Sequence, residues 1–222
     1  MKKGLTILAL GTILALSGCG NSSTTTESTT EITTEQESNL NENTASGKIL
    51  TVYFSWASNV ENDDVDGISS ASIVDGNYHL VADYIKDLTG GDVFEIKTDE
   101  KYSADYNKTV DIAADEKKND TRPSLTSHID NISDYDTILL VYPNWWGTYP
   151  MPVATFLQEY DFNGKTILPL CTNEGSGMGS SEDDLSKLVT NANIKDWLAI
   201  RGRKVKNCKN DIEQWLKDSG IL

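Results

Sequence analysis

The sequence predicts a three-layer α/β fold in which a five-stranded parallel sheet, ordered 2-1-3-4-5, carries helices on both faces. Three observations lead there. Five apolar runs have strand character: KILTVYF (48–54), DVFEIK (92–97), DTILLVYP (136–143), KTILPLC (165–171) and DWLAIRG (196–202). The third and fourth are apolar nearly throughout, as expected of strands covered on both faces. Helical patterns lie between the runs, and strand, helix, strand repeated along a chain gives parallel strands joined by right-handed crossovers. Half of a dinucleotide-binding fold is the alternative arrangement. In either case ligands bind beyond the carboxyl ends of the strands, where the strand order reverses. In the 2-1-3-4-5 order that crevice lies between strands one and three, at Phe54-Ser55 and Pro143-Asn144.

The helices follow from spacing. NYHLVADYIKDLTGG places Leu80, Val81, Tyr84, Ile85 and Leu88 on one stripe and closes at Gly90. MPVATFLQEY, SEDDLSKLV and DIEQWLKDSG are further helices, the last also ending at a glycine. ADYNKTVDIAADEKK (104–118) reads as helical but more polar.

The first residues are of another kind. Lys2 and Lys3 precede an apolar stretch over residues 4–16, then Ser17, Gly18 and Cys19. The stretch is short for a membrane-spanning helix and has the layout of a secretory signal. LSGC resembles the lipobox of bacterial lipoproteins, in which the signal is cut before a cysteine that is then lipidated; an ordinary signal with a chance cysteine is the alternative. Two acyl chains on Cys19 would give stable anchoring. Residues 20–47 are Ser, Thr, Glu and Asn with hardly any apolar content, too polar to offset their chain entropy by burial. Such a tether of 28 residues has a root-mean-square reach of about 30 Å. The expected organisation is therefore a signal over 1–18, lipidated Cys19 and tether over 19–47, and one domain over 48–222 with an insertion at about 56–75.

Charge narrows the partners. The chain carries a net −15, and loss of Lys2 and Lys3 with the signal takes it to −17. That argues against nucleic acid and against adhesion to anionic lipid, and favours neutral or basic partners. Besides Cys19 only Cys171 and Cys208 occur; in an exported domain they form either a disulfide or two buried thiols. His79 and His128 are the only histidines and sit in no zinc pattern, and G-x-S-x-G is absent because Glu174 holds the place of its first glycine. Hydrolase readings are poor on these grounds. His128 reads as structural, whereas His79, in a first helical turn, has a phosphate as one possible partner.

Three loops gather at the predicted crevice. YPNWWGTYP follows strand three and sets Trp145 beside Trp146, so that one indole packs inward while the other meets solvent or a ligand. CTNEGSGMGSS (171–181) follows strand four, and Gly175, Gly177 and Gly179 let its backbone approach a flat ligand closely. A flexible glycine loop before a helix is the plain alternative. After strand one, SWASNVENDDVDGISSASIVDG separates Phe54 from the helix near Asn77, far longer than the usual two to six residues. It reads as an insertion within a phosphate-binding turn, with Ser55 at the strand end and Asn77-Tyr78 opening a helix whose unpaired amides suit an anion. Simple capping by Asn77 is the alternative. The stretch NDDVDG opens like a calcium loop but has Ile73 where the bidentate glutamate belongs, so no calcium site is expected.

YFS at the end of strand one, GNY opening the next helix, EKYSADY, RPSL, YPNWWGTYPMPVATFLQEYDFNGKTILPLCT and EGSGMGSS together resemble the flavodoxin-like family in its bacterial branch. The resemblance spans residues 48–222 and is densest over 135–181. It implies flavin mononucleotide (FMN) held without a covalent bond. By position, Pro143, Asn144, Trp145, Trp146, Gly147 and Thr148 would cover one side of the flavin ring. Thr172, Asn173, Glu174, Gly175, Ser176 and Gly177 would line the other side and the pyrimidine edge. Ser55, Asn77 and Tyr78 would hold the phosphate, although Tyr78 stands where the family usually has a threonine.

The expected function is that of a lipid-anchored, extracytoplasmic FMN protein on the bacterial cell membrane. It would transfer electrons to a protein partner or reduce a small-molecule acceptor such as a quinone. A non-enzymatic binding lipoprotein, its fold having lost flavin, is the competing class; Tyr78 and the insertion speak for it. No catalytic acid or base stands out.

Overall fold

The computed structural model describes residues 47–61 and 77–222. The signal, Cys19, the tether and most of the insertion, including NDDVDG, lie outside the described residues, as do the side chains of Asn77 and Tyr78. The strands are β1 (Ile49–Phe54), β2 (Asp92–Ile96), β3 (Thr137–Pro143), β4 (Thr166–Asn173) and a fifth, edge strand in two pieces, β5 (Asn193–Ile194) and β6 (Leu198–Arg201). All pairings are parallel, and the order is β2-β1-β3-β4 with both edge pieces on β4. This is the predicted 2-1-3-4-5 sheet. The helices are α1 (Asn77–Thr89), α2 (Tyr106–Asn119), α3 (Met151–Glu159), α4 (Ser181–Leu188) and α5 (Lys209–Asp218).

Alternation along the central strands builds two cores. Leu50, Val52, Phe54, Ile138, Leu140 and Tyr142 point to one face, where Ala113 of α2, Phe156 of α3 and Leu185 of α4 cover them. Ile49, Tyr53, Leu139 and Val141 point to the other, under Val81, Ala82 and Ile85 of α1 and Ile212 and Leu216 of α5. Each such aliphatic side chain contributes about 1.5–3 kcal/mol by leaving water. α1 ends where Gly90, at φ 68°, donates its N–H to the Lys86 carbonyl. α2 starts at Asp105, whose carboxylate accepts the Lys108 N–H at 3.1 Å.

The fifth strand departs from the sequence expectation of one run over 196–202. It begins at Asn193 and breaks between Ile194 and Leu198. The cause lies on its neighbour. Pro169 of β4 pairs with Leu140 on its inner side and has no N–H to offer a further strand. The edge chain steps out opposite it, with Asp196 at φ 54° and its carbonyl accepting the Trp215 indole N–H.

Cys171 and Cys208 are both free and buried. Neighbouring strand ends made a disulfide conceivable, but Cys171 packs in the α2–α3–α4 core and Cys208 in the α1–α5 core, with the sheet between them. Burial pushes the Cys171 thiol up to about 12 and that of Cys208 to about 11.

Candidate functional site

At the carboxyl end of β3 the chain makes a tight two-residue turn. Trp145 N–H donates to the Thr148 carbonyl at 2.8 Å and Thr148 N–H returns to Trp145 O at 3.1 Å. The central residues, Trp146 and Gly147, both have positive φ, 52° and 82°. Two-residue turns of that kind normally take Asn-Gly or Gly-Gly, because a side chain at left-handed φ crowds its own backbone. Here the strained position carries an indole. Trp146 is 54 % exposed, the most exposed large apolar side chain among the described residues. Its Nε1–H donates to the Val110 carbonyl of α2 at 2.9 Å, and Lys117 Nζ donates to its carbonyl at 2.6 Å.

Trp145 does the opposite. It is buried, with its ring edge-on to Phe54 at 5.4 Å and to Tyr102 at 5.3 Å. The division of the pair into an inner and an outer indole, expected from adjacency alone, is what the fold contains.

Asn144 ties this turn to the glycine loop. Its Nδ2 donates to Gly177 O at 2.9 Å, its Oδ1 accepts Gly147 N–H at 2.9 Å, and its backbone N–H donates to Thr172 O at 2.8 Å. Ser180 N–H donates to Gly147 O at 2.6 Å. A Cβ on Gly179 would lie 2.2 Å from that same carbonyl, so the close approach of the two loops demands glycine there. Asn173 is buried, accepts Gly175 N–H at 2.9 Å and donates to Ile200 O at 3.3 Å. Thr172 is buried, while Glu174, Gly175 and Ser176 project into solvent. The two loops assigned to opposite sides of a ring thus share one hydrogen-bonded base and present their tips side by side.

Pro143 and Thr148 are buried and support the turn from below. The Thr148 hydroxyl has no hydrogen-bond partner among the described residues. Ser55, also buried, follows directly on β1; its carbonyl accepts Asn59 Nδ2 at 2.8 Å. Asn77 is the first residue of α1, while the turn that precedes it lies outside the described residues. His79 turns to Tyr53, whose hydroxyl lies 2.9 Å from Nδ1, and to Glu95 at 3.9 Å. Its Nδ1 is thus paired within the protein, on the opposite face of the sheet from the Trp turn. His128 lies 3.4 Å from Glu159, an exposed structural contact.

A cavity of about 290 Å³ opens on the α2 side of the Trp turn. Trp56, Tyr106, Val110, Asn144, Trp145 and Trp146 wall it, and none of residues 172–177 does. The sequence reading missed this wall. Tyr106, Val110 and Ala113 form a helical stripe that the polar character of α2 masks, and Trp56 stood inside a stretch read as an insertion. Next to it, Tyr102 donates to both carboxylate oxygens of Glu116, at 2.9 and 3.1 Å.

This geometry has known counterparts. A family model described as flavodoxin matches residues 67–219. The chain belongs to the flavodoxin family. A protein of Bacteroides eggerthii, named provisionally as a flavoprotein, shares 26 % identity with a TM-score of 0.61, over 77 % of this chain and 96 % of that one. A similarly named protein of Bacteroides uniformis gives 26 % and 0.57, over 77 % and 98 %. A Lactobacillus acidophilus flavoprotein solved in complex with FMN has the same fold at 20 % identity and a TM-score of 0.54, over 76 % and 98 %. No curated protein matches the chain. The parallel order 2-1-3-4-5 with flanking helices is the fold of that family.

Proposed function

We propose that this flavodoxin-family chain binds FMN non-covalently and transfers electrons through it, as a carrier or as a reductase of a small-molecule acceptor. A lipidated Cys19 would hold it on the outer side of the bacterial cell membrane. The observation that carries the flavin reading is Trp146, a half-exposed indole kept at left-handed φ beside a glycine loop, at the carboxyl ends of β3 and β4. Strain of this kind costs about 1–3 kcal/mol and persists where the surroundings enforce it.

The residues present fit the group. Gly147, Gly175 and Gly177 all have positive φ and so keep Cβ atoms from the surface a flat ring would meet. A Cβ on Gly175 would also press on the Arg201 guanidinium, 3.3 Å away. Asn144 and Asn173 hold both loops fixed before any ligand arrives, which lowers the ordering cost of binding. Residues 143–148 would hold the ring, residues 172–177 its other side and pyrimidine edge, and Ser55, Asn77 and Tyr78 the phosphate. FMN, once bound, supplies the electron-transfer chemistry; the protein orients it and tunes its surroundings. A net charge of −15, or −17 once Lys2 and Lys3 leave with the signal, suits a basic partner and disfavours nucleic acid. Electron transfer to such a partner slows as salt rises.

FMN titration followed by flavin fluorescence tests the reading. Binding should quench the flavin, and Trp146→Ala should weaken binding by about 0.5–1.5 kcal/mol, the worth of an aromatic contact. Trp145→Ala should act mainly on stability. No binding by the folded protein, or equal and negligible losses in the two variants, would sink it.

A further inference from the structure

Glu116 is the strongest unassigned group near the site. It lies on α2, and the buried Tyr102 donates its phenol hydrogen bond to this carboxylate. The other side of the Tyr102 ring system is the aromatic cluster: Trp145 edge-on at 5.3 Å and Phe54 edge-on at 6.2 Å. The Tyr102 backbone also clasps the segment leaving β1, its N–H donating to Asn59 O at 2.8 Å and its carbonyl accepting Glu61 N–H at 3.1 Å. Trp145 in turn closes the tight turn that presents Trp146. Tyr102 therefore connects a helix carboxylate, the inner indole and the segment leaving β1.

We infer that Glu116 is a positioning residue for the flavin site in two respects, bracing Trp145 and the turn that carries Trp146 through Tyr102, and setting a titratable negative charge behind them. The inference rests on the FMN reading for its functional half, while the brace itself belongs to the protein alone. Burial is the main influence on the carboxyl and pushes it up to about 7; the Tyr102 hydrogen bond opposes this in part. No cation neutralises it among the described residues. Lys117 is turned to the Trp146 carbonyl, Lys101 to the Thr98 carbonyl, and Arg122 to Asp120 and Gln158. Tyr102 is the titratable group that faces it.

The ionised carboxylate strengthens the Tyr102 hydrogen bond but adds a negative charge behind the site. That charge opposes the phosphate of FMN and any negative charge on the ring. FMN should therefore bind more tightly as pH falls through about 7, by about threefold. The phosphate of FMN titrates in the same region, but identically in every variant.

The test is the FMN dissociation constant from about pH 5.5 to 8.5, in wild type, Glu116→Gln and Tyr102→Phe, with tryptophan emission of the flavin-free protein followed over the same range. Glu116→Gln should flatten the protein's share of the profile and bind more tightly at high pH. Tyr102→Phe should move the midpoint upward, because the carboxylate loses the bond that lowers it. Glu213→Gln, on α5, should reproduce the wild-type profile. In the flavin-free protein, an emission change near pH 7 should be present in wild type and absent in Glu116→Gln. Coincident FMN profiles for wild type and Glu116→Gln would overturn the inference. If no protein bound FMN while the emission change were lost only in Glu116→Gln, the flavin reading would fail and the brace would stand. A wild-type emission curve without that change would remove the brace.

Discussion

The two faces of the sheet are covered in different ways. On one, α1 buries Val81, Ala82 and Ile85 completely against Tyr53, Leu139 and Val141. On the other, α3 and α4 pack as closely, with Phe156 and Leu185 fully buried, but α2 buries only Thr109 and Ala113 and borders a cavity. What holds α2 is a set of polar ties: Trp146 to Val110, Lys117 to Trp146, Thr109 to Ser103, and Tyr102 to Glu116. Apolar packing is non-directional and tolerates little change in volume, whereas directed hydrogen bonds to a turn can be remade when a ligand arrives. The difference teaches where adjustment is possible: α1, like α3 and α4, is fixed by packing, whereas α2 is held by directed bonds beside the candidate site.

The strongest way to break the comparison is a pair of truncations. Ile85→Ala should cost about 2–5 kcal/mol, since the site is fully enclosed. Val110→Ala, on a cavity wall, should cost under about 1 kcal/mol. Urea unfolding of both variants checks this, and similar losses would erase the distinction. A pH series sharpens it next. Glu116 has a folded-state value near 7, raised from 4.5, so the native state holds a proton that the unfolded chain has released. Its contribution is fully present below about 4.5, falls as pH rises to about 7 and then stays level. Because solvent reaches part of the carboxylate, the loss should be about 1 kcal/mol. Glu116→Gln should lack that component of the pH-stability curve.

A smaller effect probes a flaw in the well-packed face. The Thr51 hydroxyl in β1 is buried without a partner among the described residues. Thr51→Val should stabilise the protein by about 1 kcal/mol, read as a higher urea midpoint with unchanged slope. The smallest signal is chemical. In the native protein, Cys171 and Cys208 should react with a thiol reagent only slowly, and both should count as free after denaturation without reductant.

Much of this was legible in the sequence because it rests on periodicity. Strand alternation and helix stripes each need only a short window, and they placed β1 to β4 and all five helices within a few residues. The Trp pair was legible for a related reason: adjacent residues on a turn cannot both pack inward. What escaped depends on residues distant in sequence. The break in the fifth strand is set by Pro169 on a neighbouring strand, about 25 residues earlier in the chain. The sidedness of Cys171 and Cys208 required knowing which face each strand end presents. The cavity wall joins Trp56, α2 and the β3 turn, and its helical part hides in a segment whose exposed residues are mostly charged. Glu116 gave no local sign at all, since only the fold buries it.

The interrupted edge has one more consequence. A sheet edge presents unpaired amides and carbonyls on which another chain can add as a further strand. Here the outermost chain on the β4 side offers ladders of only two and four residues, separated by a step at Asp196 whose carbonyl is already taken by Trp215. A visiting strand would find no continuous register along that rim. The proline that keeps the fifth strand from running straight thereby also disfavours strand addition along that rim.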